Sequence, residues 1–581
     1  MEYLYHIIVQ VIIYAIIVQS LNMVMGYVGI ISMSHAVFCA FGAYSSAIIS
    51  VKLGGNFMVG VLVGFILASL VGAALALPSL RVRDEYLIVF TVGFQMVMSE
   101  FMMTARGVTE GQGGIPGIPP PKILGISFST PLEFIPLAFG AAVVCYSIVW
   151  RVTHSPFGRV LRAIREEEDA ARALGKNTLM FKVIVFSLAG GLASVGGSLT
   201  AHYISFVSPF SFSIEVSVFM IAMVVLGGEG SFWGPLVGAG IMVGISEGLR
   251  FVPGSSSYID AAREILYGAI LMLCMLFRPQ GIIPEHPKLR KGIPREKRRN
   301  NAKNMEVRQV LGVGVNEGPS RPGYYKGGEK ILEVKGVSKW FGGLRALDNC
   351  SLSLTRGEIA GLIGPNGCGK TTLFNVITGF LRADEGRVFL NGKEITGMPP
   401  YKLVKRGLVR SWQDVRVFTK MTVLDNVLVA RPNQDGEKLL PLFLFPGRIS
   451  RQEDNNRKTS LEYLRVVGLH DRAEELVANL SAAEQKLVAI ARLLATECRL
   501  LLLDEPTAAL DFESVGRIIS TVREIARSGG KTILLVEHNL DVVRGLVERA
   551  YFMSEGKVLA CGAPIDLMND PKLVEVYFGI E

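Results

Sequence analysis

The residues with the most definite chemistry lie in the second half of the chain. Gly364-Pro365-Asn366-Gly367-Cys368-Gly369-Lys370-Thr371-Thr372 fits G-x-x-x-x-G-K-[ST], the phosphate-binding loop. Its glycines let backbone N–H groups turn inward and close on phosphate oxygens with no Cβ in the way. A helix N-terminus at the loop's end adds partial positive charge. Lys370 would reach the β- and γ-phosphates, and the Thr371 hydroxyl would hold Mg2+. Leu500–Leu503 is an apolar run ending in Asp504-Glu505. Asp504 would hold Mg2+ through its water shell, and Glu505 would act as general base on, or orient, the attacking water. A carboxylate pair after a strand means little alone; downstream of a phosphate loop it points to nucleotide hydrolysis.

Three single residues join this set by order and spacing. Gln413 would reach the Mg2+ and the water. His538 follows the apolar run Thr532–Val536 and would bond the γ-phosphate. Phe341 would stack on adenine, with Trp340 as its rival. By themselves a lone Gln or His are ordinary loop residues. Cys368 sits inside the phosphate loop, so alkylation is expected to block ATP binding and ATP to protect the thiol.

These residues need a frame. Ile359–Ile363 reads as a buried strand and Leu373–Ile377 as the start of a helix, the context a phosphate loop requires. Strand-like runs alternate with helical patterns through residues 331–581, an α/β arrangement. The first half is different. Half of the 581 residues are hydrophobic, mean hydropathy is +0.39, and the excess lies in residues 1–277. Val59–Leu77, Phe134–Trp150 and Val183–Thr200 carry no charge and approach the ~20 residues of a membrane-crossing helix. Ile7–Met25, Ile30–Val51, Tyr86–Thr104, Ile214–Gly228, Trp233–Leu249 and Ile265–Phe277 bring the expectation to about nine spans. The expected fold is a polytopic all-α membrane domain (1–277), a basic flexible linker (278–330) and an α/β P-loop NTPase domain (331–581).

Charge orients and restricts. Arg278–Lys330 holds thirteen Lys/Arg against five Asp/Glu, so most of the net charge of +9 sits beside the last hydrophobic segment. That placement suits anionic lipid on the cytoplasmic face, not nucleic acid. The basic loop Arg151–Lys182, with Arg81 and Arg83, is placed in the cytoplasm and the N-terminus outside. With no basic n-region and Glu2 as the only early charge, a cleavable signal is not expected at the start. Seven scattered cysteines without a C-x-x-C pair indicate neither zinc nor disulfides. Among polar residues in or near the spans, Asn22, His35, Gln95, Glu100, Glu215 and Glu247 would face a solute path, bond neighbouring helices or sit at the interface.

In the order Phe341, phosphate loop, Gln413, Leu480-Ser481, Asp504-Glu505, Ala509-Leu510-Asp511 and His538, residues 331–581 resemble an ATP-binding cassette (ABC) ATPase. Arg410–Ala430 (RSWQDVRVFTKMTVLDNVLVA) and Val536–Val543 (VEHNLDVV) resemble the ATPase of branched-chain amino-acid ABC importers. Leu21-Asn22, Gly26-Tyr27, Ser34-His35, Gly42-Ala43-Tyr44 and Gly227–Pro235 resemble the permease of the same family. The resemblance implies a permease and an ATPase subunit fused in the cytoplasmic membrane. It also implies ATP and Mg2+ as ligands, a second permease, a second ATPase and an extracytoplasmic solute-binding protein. Asp169–Gly175 matches the E-A-A-x-x-x-G element that importer permeases present to their ATPases, with Asp for Glu, and with Arg159, Arg162 and Arg165 it makes up the expected ATPase-docking loop. The L-S-G-G-Q signature, which completes a partner's site, here reads Leu480 followed by Ser481, Ala482, Ala483 and Glu484. Ala483 replaces a glycine and its Cβ should crowd the phosphate, which implies an asymmetric heterodimer. The implied solute is a branched-chain amino acid, with urea, short amides or other small organic solutes as the alternative. A soluble ATPase acting on nucleic acid is disfavoured by the uncharged spans, and an exporter by the docking loop.

Overall fold

The computed structural model describes residues 2–80, 84–123, 125–249, 256–285 and 329–578. Arg81, Arg83 and most of the basic stretch (286–328) lie outside the described residues. The chain forms two compact units, Met1–Arg165 with Thr178–His286, and Glu166–Asn177 with Pro287–Glu581.

The first unit is helical. Its helices are α1 (Glu2–Asn22, continued by a π-helical turn Met23–Val28), α2 (His35–Val51), α3 (Phe57–Ala76), α4 (Asp84–Thr104), α5 (Pro131–Thr153) and α6 (Pro156–Glu166). After α7 (Glu168–Ala173), which belongs to the second unit, come α8 (Thr178–Ile204), α9 (Ile214–Gly227), α10 (Gly234–Gly248) and α11 (Ser256–Phe277). Six stretches among the described residues are long and apolar enough to cross a membrane: Glu2–Val28, Phe57–Ala76, Tyr86–Thr104, Pro131–Thr153, Thr178–Ile204 and Pro209–Gly227. The other expected spans fall short. The Ile30–Val51 segment is helical only from His35, because Gly29, at φ 85°, ends the π-turn in the left-handed region. α10 has 15 residues, and Ile265–Phe277 is likewise a shorter apolar helix.

Small residues bring α2, α3 and α8 together. Gly60, Gly64, Ala68 and Gly72 recur every fourth residue on the buried face of α3. A Cβ on Gly64 would lie 2.9 Å from Gly42 Cα, and one on Gly72 would lie 2.3 Å from Phe186 O. Close backbone approach of this kind is how helices associate where lipid is as apolar as leucine. The opposite face, with Leu62, Ile66 and Leu70, is exposed.

The permease-like motif residues meet one another. Asn22 on α1 accepts from Gly230 N–H at 2.9 Å and donates to Ser231 O at 2.8 Å. The stretch after α11 is not free tether from residue 278 onward. Ile282 N–H donates to Leu226 O at 2.9 Å and Ile283 N–H to Gly227 O at 3.0 Å, adding backbone to the end of α9.

The second unit is built on two sheets. Strands β1 (Lys330–Phe341), β2 (Leu344–Thr355), β3 (Ile359–Ile363), β4 (Glu385–Leu390), β5 (Leu408–Arg410), β6 (Leu500–Asp504), β7 (Thr532–Val536), β8 (Arg549–Ser554) and β9 (Lys557–Gly562) supply them. The larger has order β5-β6-β7-β3-β8-β9, parallel except for β8–β9, and the smaller is antiparallel with β1 between β2 and β4. β3, β6 and β7 are buried along their whole length, as strands covered on both faces must be. Register places Asp504 beside Val536 and Val536 beside Leu362. The carboxyl ends of three strands therefore deliver the phosphate loop, Asp504-Glu505 and Glu537-His538 to one edge.

Candidate nucleotide site and its docking groove

The phosphate loop joins β3 to α12 (Lys370–Ile377). Gly367 and Gly369 have φ 79° and 104°, the region that favours glycine. Lys370 is buried and donates to Gly364 O (2.9 Å) and Pro365 O (2.8 Å), so the ammonium is held within the loop it would serve. Thr371 is exposed on the first helical turn. Cys368 corrects an expectation. Its side chain is 4% exposed and belongs to the core beneath the loop, because the glycine-permitted turn points it inward. Alkylation in the folded state is therefore hindered with or without nucleotide. Phe341, at the end of β1, is exposed with Lys339 Nζ 5.8 Å from its ring centroid, whereas Trp340 is faced by Arg345 at 5.1 Å.

Three of the hydrolysis residues come together on Glu505. Gln413 Nε2 donates to Glu505 Oε2 at 2.9 Å, and His538 Nε2 lies 2.9 Å from Oε1. Glu505 has φ 45°, a conformation a non-glycine residue holds only when its surroundings fix it. Its N–H bonds Val536 O at 2.9 Å, and Lys486 donates to Ala508 O at 2.5 Å behind it. Thr507 N–H and Oγ1 both donate to Glu537 Oε1, at 2.9 and 2.6 Å.

Asp504 is 1% exposed and accepts from Arg410 Nη2 at 2.7 Å through Oδ2, while its Oδ1 is buried without a hydrogen-bond partner. Burial raises the Asp504 pKa and the adjacent Arg410 charge opposes it. Burial lowers the Arg410 pKa and Asp504 opposes that. At this separation the pair is ionic. Arg410 also bonds Asn375 Oδ1 and lies over the rings of Phe374 (5.5 Å) and Trp412 (4.6 Å). A buried carboxylate oxygen without a donor is the chemistry that suits a hard divalent cation.

Ser481 caps α13 (Ala482–Ala495) in a reciprocal capping box with Glu484. Its hydroxyl donates to Glu484 Oε2 at 2.9 Å, and Arg472 Nη1 holds the other oxygen at 2.6 Å. Burial acts to raise the Glu484 pKa; Arg472 and the Ser481 bonds outweigh it, so the carboxyl lies below its ordinary value. Ala482 is exposed and Ala483 partly so.

The docking residues divide. Arg165 bonds Gly26 O and pairs with Glu285 at 2.6 Å, and Arg162 lies 3.9 Å from Glu285. These arginines, like the buried Arg159, belong to the helical unit. Asp169 and Gly175 belong to the second unit. Asp169 faces Arg416 at 3.5 Å, and a Cβ on Gly175 (φ 89°) would lie 2.9 Å from Val404 Cγ1. Sequence reasoning missed Glu166, Glu167 and Lys176. Lys420 N–H donates to Glu166 at 2.9 Å, Arg416 pairs with Glu167 at 3.1 Å, and Lys176 pairs with Glu437 at 2.5 Å while donating to Arg431 O at 3.0 Å. Ala170 and Ala173 of α7, with Leu174 just after it, line one pocket together with Trp412, Gln413 and Glu505. It also missed Arg410 and Lys486; a cation closing an apolar strand beside the Asp504 strand was the available signal.

Residues 3–275 match the family model for the permease component of branched-chain amino acid transport systems, and residues 347–508 match that for ABC transporters. The probable branched-chain amino acid transport ATP-binding protein LivG of Archaeoglobus fulgidus is 37% identical over 252 residues, 43% of this chain and 96% of that protein. The LivG of Methanocaldococcus jannaschii is 38% identical over 256 residues (43% and 98%). The high-affinity LivG of Escherichia coli K12 is 35% identical over 251 residues (43% and 98%).

Proposed function

This chain belongs to the ABC transporters of the branched-chain amino-acid type, with permease and ATPase on one polypeptide, and on that premise we propose that it drives uptake of branched-chain amino acids by ATP hydrolysis at Glu505. It is a multi-pass protein of the cytoplasmic membrane whose cassette binds and hydrolyses ATP on the cytoplasmic side. The observation that carries the reading is Glu505 held between Gln413 and His538 at 2.9 Å each, beside the buried Asp504. Glu505 takes the proton of the attacking water, Gln413 and His538 aim the carboxylate, and Lys370 and the loop amides bind phosphate. Thr371, Gln413 and Asp504 would hold Mg2+, which supplies charge neutralisation on the β- and γ-phosphates.

The partners are a second permease, a second cassette and an extracytoplasmic solute-binding protein. Hydrolysis is asymmetric: Glu505 works against the partner's signature, while this chain's own signature is weakened. Ser481 is tied to Glu484, Ala483 narrows the approach, and the Glu484 carboxylate opposes an incoming phosphate at the helix N-terminus. The segment Glu166–Asn177 carries cassette motion to the spans.

The test is uptake by the complex isolated through a tag on this chain and reconstituted with its binding protein. ATP-dependent accumulation of leucine, isoleucine or valine is expected. Accumulation of urea or a short amide with none of these amino acids would overturn the substrate assignment.

A further inference from the structure

The helical unit buries polar groups that its own fold leaves unsatisfied. Gln95 on α4 is fully buried; its amide N–H donates to Phe212 O at 2.7 Å, and its Oε1 has no partner. Gln19 on α1 is 1% exposed with neither amide atom bonded. His35, the first residue of α2, is fully buried. Its Nε2 lies 2.8 Å from Ser20 Oγ, and its Nδ1 has no partner. Further along α2 the Tyr44 hydroxyl is also buried and unpartnered. Folded proteins satisfy nearly all such groups, and an apolar surround makes each exception costly. These four need an account.

Three of them are drawn together by further bonds. Met33 N–H donates to Thr91 Oγ1 at 3.1 Å, one turn before Gln95 on α4. Ala36 N–H, next to His35, donates to Ser217 Oγ on α9 at 3.1 Å. Phe212, just ahead of α9, accepts from Gln95 and lies against the Tyr44 ring, centroids 6.3 Å apart. Ser20, bonded to His35, places Gln19 on the adjoining stretch of α1. Residues 29–34, which lead into α2, are not helical, and interrupted helices inside a membrane unit line pathways.

The chemistry of these side chains selects a ligand. Amides, a hydroxyl and an imidazole offer donors and acceptors to an ammonium and a carboxylate, and none carries a formal charge that would reward a net-charged solute. Phe38, 5.6 Å from the His35 ring, and Phe212 add apolar surface. We propose that Gln19, His35, Tyr44 and Gln95 form a solute-binding site within the membrane unit, and that it takes a small zwitterionic amino acid with an apolar side chain. The inference rests on the uptake reading above.

Gln95→Met preserves length and burial, and Tyr44→Phe removes one hydroxyl, so both variants should fold. With the reconstituted complex and saturating leucine-loaded binding protein, leucine moved per ATP hydrolysed is expected to fall about threefold to tenfold in each, what one hydrogen bond is worth. ATPase stimulation by the binding protein is expected to persist, which a loss of folding would not allow. Unchanged leucine per ATP in both variants would overturn the site. A wild-type complex that moves urea but no leucine would overturn the uptake reading and the zwitterion assignment with it.

Discussion

Replacing Arg410 with methionine should destabilise the cassette more than any exposed substitution near the site. Both side chains of the Arg410–Asp504 pair are 1% exposed, and they meet at 2.7 Å. Methionine keeps most of the volume but leaves the Asp504 carboxylate buried without its cation. Removing one partner of a buried pair costs about 3–5 kcal/mol. The cassette spans roughly 250 residues, where each kcal/mol lowers Tm by about 2–4 °C, so the unfolding transition should fall by about 6–20 °C. The assay is differential scanning calorimetry of the purified complex without nucleotide, following the cassette transition. Arg410→Met combined with Asp504→Asn should recover much of the loss, because the uncompensated charge is gone. A Tm within a degree of wild type for Arg410→Met would refute the reasoning, as would a double variant no better than the single.

Three other outcomes follow from the geometry. Lys176→Glu should lower leucine uptake about tenfold, the loss of a charge-assisted buried bond, with basal ATP hydrolysis retained, and Glu437→Lys in the same chain should restore part of it; uptake by Lys176→Glu equal to wild type would remove the pair from coupling. Ala483→Gly with Glu484→Gln should raise steady-state ATPase of the complex severalfold by opening the signature to phosphate; no rise in turnover would mean that this signature does not limit the second site. Timed maleimide labelling read by mass spectrometry should modify the exposed Cys561 first and leave Cys368 unmodified until the cassette unfolds; rapid Cys368 labelling that ATP slows would reinstate an accessible loop thiol.

Short motifs were readable from the sequence because their chemistry is local. The run from β3 through the phosphate loop to α12 needs only an apolar strand, glycines and a helix start. Leu500–Asp504 shows its burial in its own letters. The placement of single side chains was harder, because it depends on partners far along the chain. Arg410 looks like a strand end in sequence, and only the pairing of Leu408–Arg410 with Leu500–Leu502 puts its guanidinium on Asp504. Arg162 and Arg165 read as cations of a basic loop, and only the structure shows Glu285, some 120 positions away, as their ion-pair partner. Lys176, the buried half of the docking pair, reads as one more cation in a basic loop. Helix bounds were hard to read for the same reason: hydropathy reads Ile30–Val51 as one segment, whereas the helix begins at His35, after the left-handed turn at Gly29.

The central claim is that hydrolysis at Glu505 drives solute through the helices of the same chain. It is tested most directly by Glu505→Gln in proteoliposomes containing both cassettes, both permeases and the binding protein. The account predicts that ATP still binds while hydrolysis falls by about two to four orders of magnitude and leucine accumulation against a gradient is lost. Accumulation that continues undiminished in that variant would contradict it.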